Sequence, residues 1–442
     1  MTLLIGDCIE QMKTLEADSV DAIVTDPPYG LEFMGKEWDG FGTPLGFQTW
    51  SEQWAREALR VLKPGGHLLA FGGTRMYHRL AAGIEDAGFE IRDTLMWLYG
   101  SGFPKSLDVS KAIDKAAGAE RQEWKTLPMQ AKGEVGEISK NRRCAVCLKA
   151  LASGNPCQCD RATAPSTEAA KKWQGWGTAL KPAVEPIVLA RKPLIGTVAA
   201  NVLTHGTGAL NIDASRIRYL SERERAEVNA RTGPNSRYRP QTGGGVTGAM
   251  SALGERHTDD VTSPLGRWPA NILLDEEAAA LLDEQSGVSA SPAPYFQQTK
   301  SKGINAPETR NDVQSSHHGD TGGASRFFYV AKASRSERNA GLEGMEQDFR
   351  ERDNGFSSSI SDTKNPRGNI HPTVKPVALM KYLIRLVVPK GGVVLDPFLG
   401  SGTTAVAAIE EGVEWIGCER EPEYVEIIKA RVAAAQPGMD LR

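Results

Sequence analysis

Apolar and polar positions alternate in two rhythms along the first hundred residues. VDAIVT (20–25) is a short, nearly continuous apolar run, which predicts a buried strand, and it leads directly into Asp26-Pro27-Pro28-Tyr29. Trp50, Trp54, Ala58 and Val61 fall at i, i+4, i+8 and i+11, one apolar stripe along a helix. KPGG (63–66) then stops the helix before the strand HLLAFGG. Alternating units of this kind predict an α/β layer with its strands inside. DTLMWLYG (93–100) reads as a further strand, with EPIVLARKPL (185–194) as its antiparallel partner, so the residues between them form an insertion.

From 195 to 370 the patterning fades as Gly, Ser, Asn and Pro rise, and 233–251, 286–325 and 351–370 read as flexible. Between Arg216 and Arg239 seven Arg stand against three Glu, with Tyr219 and Tyr238 interleaved, a local basic arm that either tracks phosphates or is a solvated, disordered loop. Periodicity returns at HPTVKPVALMKYLIRLV (371–387), whose Val377, Met380, Ile384 and Val387 make a helix stripe. The strand VVL (393–395), the turn DPFLGSGT, a helix, the strand VEWIGC (413–418), Glu419 and a last helix from Pro422 complete a βαβα half-sheet. No internal repeat is evident.

Composition narrows the classes. The 52 Lys and Arg against 55 Asp and Glu leave a net charge of −3, which excludes a wholly basic nucleic-acid coat protein. With 40% hydrophobic residues in 442, the chain can bury a sizeable core in more than one lobe. No stretch nears the roughly 18 apolar residues of a membrane span, and the first residues lack a basic start before a long apolar run. A soluble, cytoplasmic protein with no membrane partner is expected. Six cysteines are too few for a disulfide scaffold, and four of them cluster as Cys144, Cys147, Cys157 and Cys159. Their C-x2-C and C-x-C halves can close a tetrahedral structural zinc site; four free thiols on a loop in a reducing compartment are the plainer alternative.

Two constellations carry chemistry. In Asp396-Pro397-Phe398-Leu399-Gly400-Ser401-Gly402-Thr403-Thr404 a strand ends in an acid, and a Gly-rich turn opens a helix. Such a turn lets backbone approach a ligand closely and aims N–H groups at it. Glu419, about 20 residues on, stands where a strand-end carboxylate accepts hydrogen bonds from ribose hydroxyls. Either part alone is also an ordinary glycine turn or capping acid; the pair is the stronger signal. In Asp26-Pro27-Pro28-Tyr29 two successive prolines fix φ and lack N–H donors, so a rigid turn holds a carboxylate and a backbone carbonyl side by side. That pair suits an exocyclic amine with two N–H donors, and Tyr29 can cover the face of a planar ring. An Asp-Pro turn with a core tyrosine is the plainer alternative.

Together these motifs resemble the amino-group DNA methyltransferases that depend on S-adenosylmethionine. Asp26 to Tyr29 matches the DPPY motif of that family and Asp396 to Thr403 its cofactor loop. The DPPY half precedes the cofactor half, which resembles the β order of motifs. GDCIEQMKTL, LKPGGHLLAFGG, HPTVKP and EWIGCEREPEY match as well, so the resemblance covers about 1–100, 183–194 and 371–436. It implies an α/β, Rossmann-like methyltransferase fold with a mostly parallel seven-stranded sheet assembled from both chain ends, plus a large inserted target-recognition region. The expected divisions are a catalytic half (1–101), an insertion with the cysteines (102–182), a returning core strand (183–194), a DNA-recognition region (195–370) and a cofactor half (371–442).

By the same resemblance Asp396, Pro397, Phe398, Gly400, Ser401, Gly402 and Thr403 hold the methionine part of the cofactor, and Glu419 its ribose. The adenine contact maps to Asp7, with Cys8 following it, and His371, Thr373 and Lys375 lie near the methionine carboxylate. Asp26, Pro27, Pro28 and Tyr29 would hold a base swung out of double-stranded DNA, its amine donating to the Asp26 carboxylate and the Pro27 carbonyl. No cysteine nucleophile is required, and Cys8 and Cys418 pack with apolar strands. A leading Asp favours N6 of adenine over N4 of cytosine in this family. A cytosine-N4 enzyme shares every residue named, and a cognate restriction endonuclease is a partner that the resemblance allows. An inactive DNA-binding module would be expected to break one of the motifs, and both are intact. A protein-glutamine methyltransferase would carry Asn before the prolines.

Overall fold

A computed structural model of the chain describes residues 1–31, 39–102, 106–123, 163–219, 265–290, 296–301, 309–314, 321–332, 335–342, 369, 371 and 373–436. Two compact units emerge, one of Met1–Ser101 with Ala183–Arg442 and the other of Gly102–Pro182.

The first unit is built on nine strands: β1 (Thr2–Ile5), β2 (Val20–Thr25), β3 (Leu62–Phe71), β4 (Glu90–Leu98), β5 (Val184–Arg191), β6 (Ile272–Asp275), β7 (Tyr329–Ala331), β8 (Val393–Asp396) and β9 (Glu414–Glu419). Their spatial order is β1-β9-β8-β2-β3-β5-β4-β6-β7. Every neighbouring pair is parallel except those of β5, which runs antiparallel to both β3 and β4. The mostly parallel α/β sheet is therefore the expected one, drawn from both chain ends.

Two strands exceed the seven foreseen. β6 and β7 come from the 195–370 segment, expected to serve DNA recognition, and they extend the sheet beyond β4. Four and three residues long, in Gly- and Ser-rich surroundings, they are too short to show a rhythm of their own. β6 satisfies backbone groups of β4 that would otherwise form an open edge, and β7 does the same for β6.

Parallel strands are covered on both faces, and β2 shows it: all six residues are buried. Successive side chains point to opposite layers, Ala22 and Val24 into one and Ile23 into the other. On the Ile23 side lie the helices α1 (Cys8–Lys13), α2 (Pro44–Val61) and α3 (Tyr77–Asp86); on the other lie α4 (Val377–Val387), α5 (Thr403–Glu411) and α6 (Pro422–Ala435). Thr43 caps α2 by accepting from Gly46 N, Pro44 pre-sets its first turn, and Phe47, Trp54, Ala58 and Val61 are its buried stripe. KPGG does not precede β3 but bulges within it. Val20 pairs with Leu62 and Ala22 with His67, so four residues of β3 loop out against one of β2. Lys63 at the bulge donates to Asp21 at 2.6 Å.

In the second unit, Asp114 of the helix Val109–Ala116 is buried and accepts from Ser166 N, Thr167 N, Thr167 Oγ1 and Arg121 Nη1. Those bonds bring the two described stretches of the unit together. Trp173 and Trp176 stand edge to face, 5.0 Å apart. Cys144, Cys147, Cys157 and Cys159 lie outside the described residues, as does the basic arm beyond Tyr219. At the start of that arm Arg216 is buried rather than solvated, donating to Asp213 Oδ1 at 2.7 Å and to Gly266 O at 3.2 Å. Among the described residues no cluster of His, Cys, Asp and Glu could hold a metal, and no helix is long and apolar enough to cross a membrane.

Candidate active site

β2 and β8 are parallel neighbours, with Ala22 opposite Val394 and Ile23 opposite Leu395. Their carboxyl ends therefore open on the same edge of the sheet, the side on which α/β folds bind ligands. Thr25, the last residue of β2, donates its hydroxyl to Asp396 Oδ1 at 2.5 Å across 371 positions of sequence. Asp396 also accepts from Phe398 N at 3.0 Å and from the Thr404 hydroxyl. One buried carboxylate thus ties together the start of the DPPY turn, the glycine loop and the first turn of α5. Burial pushes its carboxyl up to about 6, against the pull of those hydrogen bonds.

The glycine loop follows. Gly400 and Gly402 adopt φ of 57° and 82°, the left-handed region that only glycine enters freely. A Cβ on Gly400 would lie 2.8 Å from His371 Nε2, so the loop passes directly over that ring. His371 packs edge to face on Tyr424 at 4.6 Å, and burial, aided by nearby Lys375, pushes it down to about 4, leaving the imidazole neutral. Thr373 is exposed and gives its N–H to His371 Nδ1 at 3.4 Å. Ser401 and Thr403 are held from below by buried Arg431, which donates to Ser401 O at 2.6 Å and to both hydroxyls at 3.1 Å. Pro397 is buried and Phe398 packs its ring against Trp50 and Trp54.

Glu419 ends β9 beside this loop. Its Oε2 accepts from Gly400 N at 2.8 Å, and its Oε1 accepts from Arg420 N and Glu421 N at 2.9 and 2.8 Å. Burial pushes its carboxyl up to about 7. The neighbouring strand is β1, whose following residue Gly6 donates to Glu419 O. Asp7 is exposed and caps α1 through Ile9 N and Glu10 N, while Cys8 and Cys418 are buried. Burial raises both thiols, Cys418 to about 12, so neither serves as a thiolate.

Asp26, Tyr29, Glu185 and Lys375 form the second half of the site. Asp39 fixes the DPPY turn by accepting from Gly30 N and Leu31 N, and the Tyr29 ring lies against Gly73, where a Cβ would come within 3.0 Å. Tyr29 donates to Asp26 Oδ1 at 2.8 Å and stands 3.1 Å from Glu185 Oε2. Lys375, which follows His371 and Thr373 in the same stretch, places Nζ 2.6 Å from Asp26 Oδ2 and 3.2 Å from Glu185 Oε2. Burial disfavours its charge, but the two carboxylates outweigh burial and hold the ammonium above the ordinary lysine range. Burial and the same carboxylates raise the Tyr29 phenol.

A cavity of 510 Å³ opens beside this cluster, lined by Trp97, Tyr99, Glu185, Asp275 and Lys375 among others. That is within the roughly 300–1,000 Å³ typical of ligand sites. Glu185, Asp275 and Arg431 were not anticipated from the sequence. Glu185 sits in a strand read for its apolar core, and the one signal was an acid, followed by proline, in that run.

A family model for DNA methylases of the N6 and N4 class matches residues 20–145 and 179–430. The type II methyltransferase M.HindIII of Haemophilus influenzae is 24% identical over 243 residues, 47% of this chain and 63% of the relative. The type II methyltransferase M.HpaI of Haemophilus parainfluenzae is 33% identical over 116 residues, 25% of this chain and 36% of the relative. The chain thus spans less than two thirds of either. Among solved structures, the cytosine-N4-specific PvuII DNA methyltransferase aligns over 99% of this chain and 87% of its own, at 14% identity and a TM-score of 0.42. Since the family match takes in the DPPY turn, the glycine loop and Glu419, the chain belongs to the N6/N4 DNA methylase family.

Proposed function

We propose that the chain transfers a methyl group from S-adenosyl-L-methionine to the exocyclic N6 amine of an adenine swung out of double-stranded DNA. The observation that carries this reading is the meeting of Asp26–Tyr29 and Asp396–Thr404 at one sheet edge, joined by the 2.5 Å bond from Thr25 to Asp396. The residues present fit the cofactor. Gly400 and Gly402 keep side chains off the loop, and the Glu419 carboxylate retains acceptor capacity beyond its three N–H partners for a ribose hydroxyl. Asp396, Pro397, Phe398, Ser401, Thr403, His371, Thr373, Lys375, Asp7 and Cys8 complete the proposed set. When bound, the cofactor supplies a methyl group on a sulfonium, open to attack by a nitrogen.

The chain's own residues do the rest. Asp26 and the Pro27 carbonyl accept the two amine hydrogens, and among the described residues no backbone N–H donates to that carbonyl. Two acceptors set at an angle draw the amine toward tetrahedral geometry and aim its lone pair, so the barrier falls through orientation and electrostatics. The Tyr29 ring covers one face of the base, and the Asp26 carboxylate takes the proton that the methylated nitrogen releases. The preference for adenine rests on Asp leading the motif.

The test is incubation with tritiated S-adenosylmethionine and unmethylated duplex DNA, then mass spectrometry of nucleosides. N6-methyladenine is expected; N4-methylcytosine alone would move the assignment to the other base, and no transfer would end the reading. The spacing of Cys144, Cys147, Cys157 and Cys159 supports a structural zinc. Elemental analysis should find stoichiometric zinc that is lost on Cys144→Ser.

A further inference from the structure

The cluster around Asp26 holds one more carboxylate than the proposed reaction uses. Tyr29 Oη lies 2.8 Å from Asp26 Oδ1 and 3.1 Å from Glu185 Oε2. Lys375 Nζ lies 2.6 Å from Asp26 Oδ2 and 3.2 Å from Glu185 Oε2. Both donors therefore stand between the same two carboxylates, each nearer to Asp26. A phenol has one proton, so Tyr29 cannot make a full hydrogen bond to both acids at once. With both oxygens of Asp26 engaged, one by a charged donor, an arriving amine would compete with stronger partners for the same lone pairs.

We propose that Glu185 is a positioning residue: it is the alternate acceptor to which Tyr29 and Lys375 turn when a base amine arrives, releasing Asp26 to receive that amine. The inference rests on the methyl-transfer reading of the site. No covalent bond changes, and each proton stays on its donor; only the acceptor differs, by a few tenths of an ångström in distance. Without Glu185 the exchange would leave a buried ammonium and a buried hydroxyl short of a partner, which is costly for a charged donor above all. Glu185 and Lys375 both line the 510 Å³ cavity, so the exchange occurs at its wall. Glu185 is held there by the sheet, paired across the ladder with Trp97.

Glu185→Gln and Glu185→Asp test this in the full chain by single-turnover and steady-state methylation of duplex DNA, with cofactor affinity measured by equilibrium binding. Glu185→Gln keeps the shape but sets an amide against the lysine; its kcat should fall about 100-fold, with KM for DNA and cofactor affinity unchanged. Glu185→Asp should recover part of that loss, which a purely structural role would not allow. Melting curves show whether each variant folds; if Glu185→Gln does not, a fall in kcat at constant KM in Glu185→Asp carries the test. Wild-type kcat in Glu185→Gln, or a fall in kcat accompanied by a rise in KM and a loss of cofactor affinity, would overturn the exchange alone. Absence of methyl transfer by the wild-type chain would instead overturn the reading beneath it.

Discussion

The two halves of the site hold their acids in opposite ways. In the glycine loop, Asp396 and Glu419 accept, among the described residues, only from backbone N–H groups and hydroxyls, and burial lifts their carboxyls to about 6 and about 7. In the DPPY half, Asp26 and Glu185 share a buried ammonium. The first arrangement is built mainly from neighbours in sequence and fixes backbone shape. The second is assembled from residues 26, 185 and 375, and the attraction of one ammonium for two carboxylates holds it together. A binding loop can thus be preformed by local geometry, whereas a reacting cluster depends on the whole sheet being in register.

The two halves should differ most at Asp26. Asp26→Ala should lower single-turnover methylation by about 1,000-fold or more, while equilibrium binding of S-adenosylmethionine stays close to wild type because the loop is untouched. Lys375→Met leaves two carboxylates without their cation, so stability should drop by about 3 kcal/mol in denaturant unfolding, with activity lost alongside. In the other half, Gly400→Ala drives a Cβ into His371 in a left-handed turn, and cofactor affinity should weaken about tenfold, a change on the order of 1 kcal/mol. Gly412→Ala is the control, strained in φ but open in space, and should leave affinity unchanged.

The smallest effect sharpens the electrostatic contrast. Glu419 titrates at about 7 when folded, above its ordinary 4.5, so the folded chain holds an extra proton between those values. Its contribution to stability is then full below the unfolded value and is lost as pH rises through 7. Ribose hydroxyls need the ionised carboxylate as acceptor, so cofactor affinity should rise from pH 6 to 8. Titration calorimetry across that range should show the rise, and Glu419→Gln should flatten it.

The chain's own pattern determined a good deal. VDAIVT, the stripe of α2, the turn after Leu395 and the strand ending at Glu419 are local periodicities, set by which positions must be apolar to be buried. The antiparallel partnership of β4 and β5 was legible across nearly a hundred residues because Leu95–Leu98 and Ile187–Ala190 are short apolar runs. Tertiary structure alone decided three things. It added β6 and β7 to the sheet, since strands of four and three residues carry too little pattern to announce themselves. It turned KPGG into a bulge, because the pairing of β2 with β3, rather than the helix stop, set the register there. It also brought Glu185 and Lys375 onto Asp26. A charged side chain finds its partner through space, and spacing along the sequence holds no record of which distant carboxylate will neutralise it.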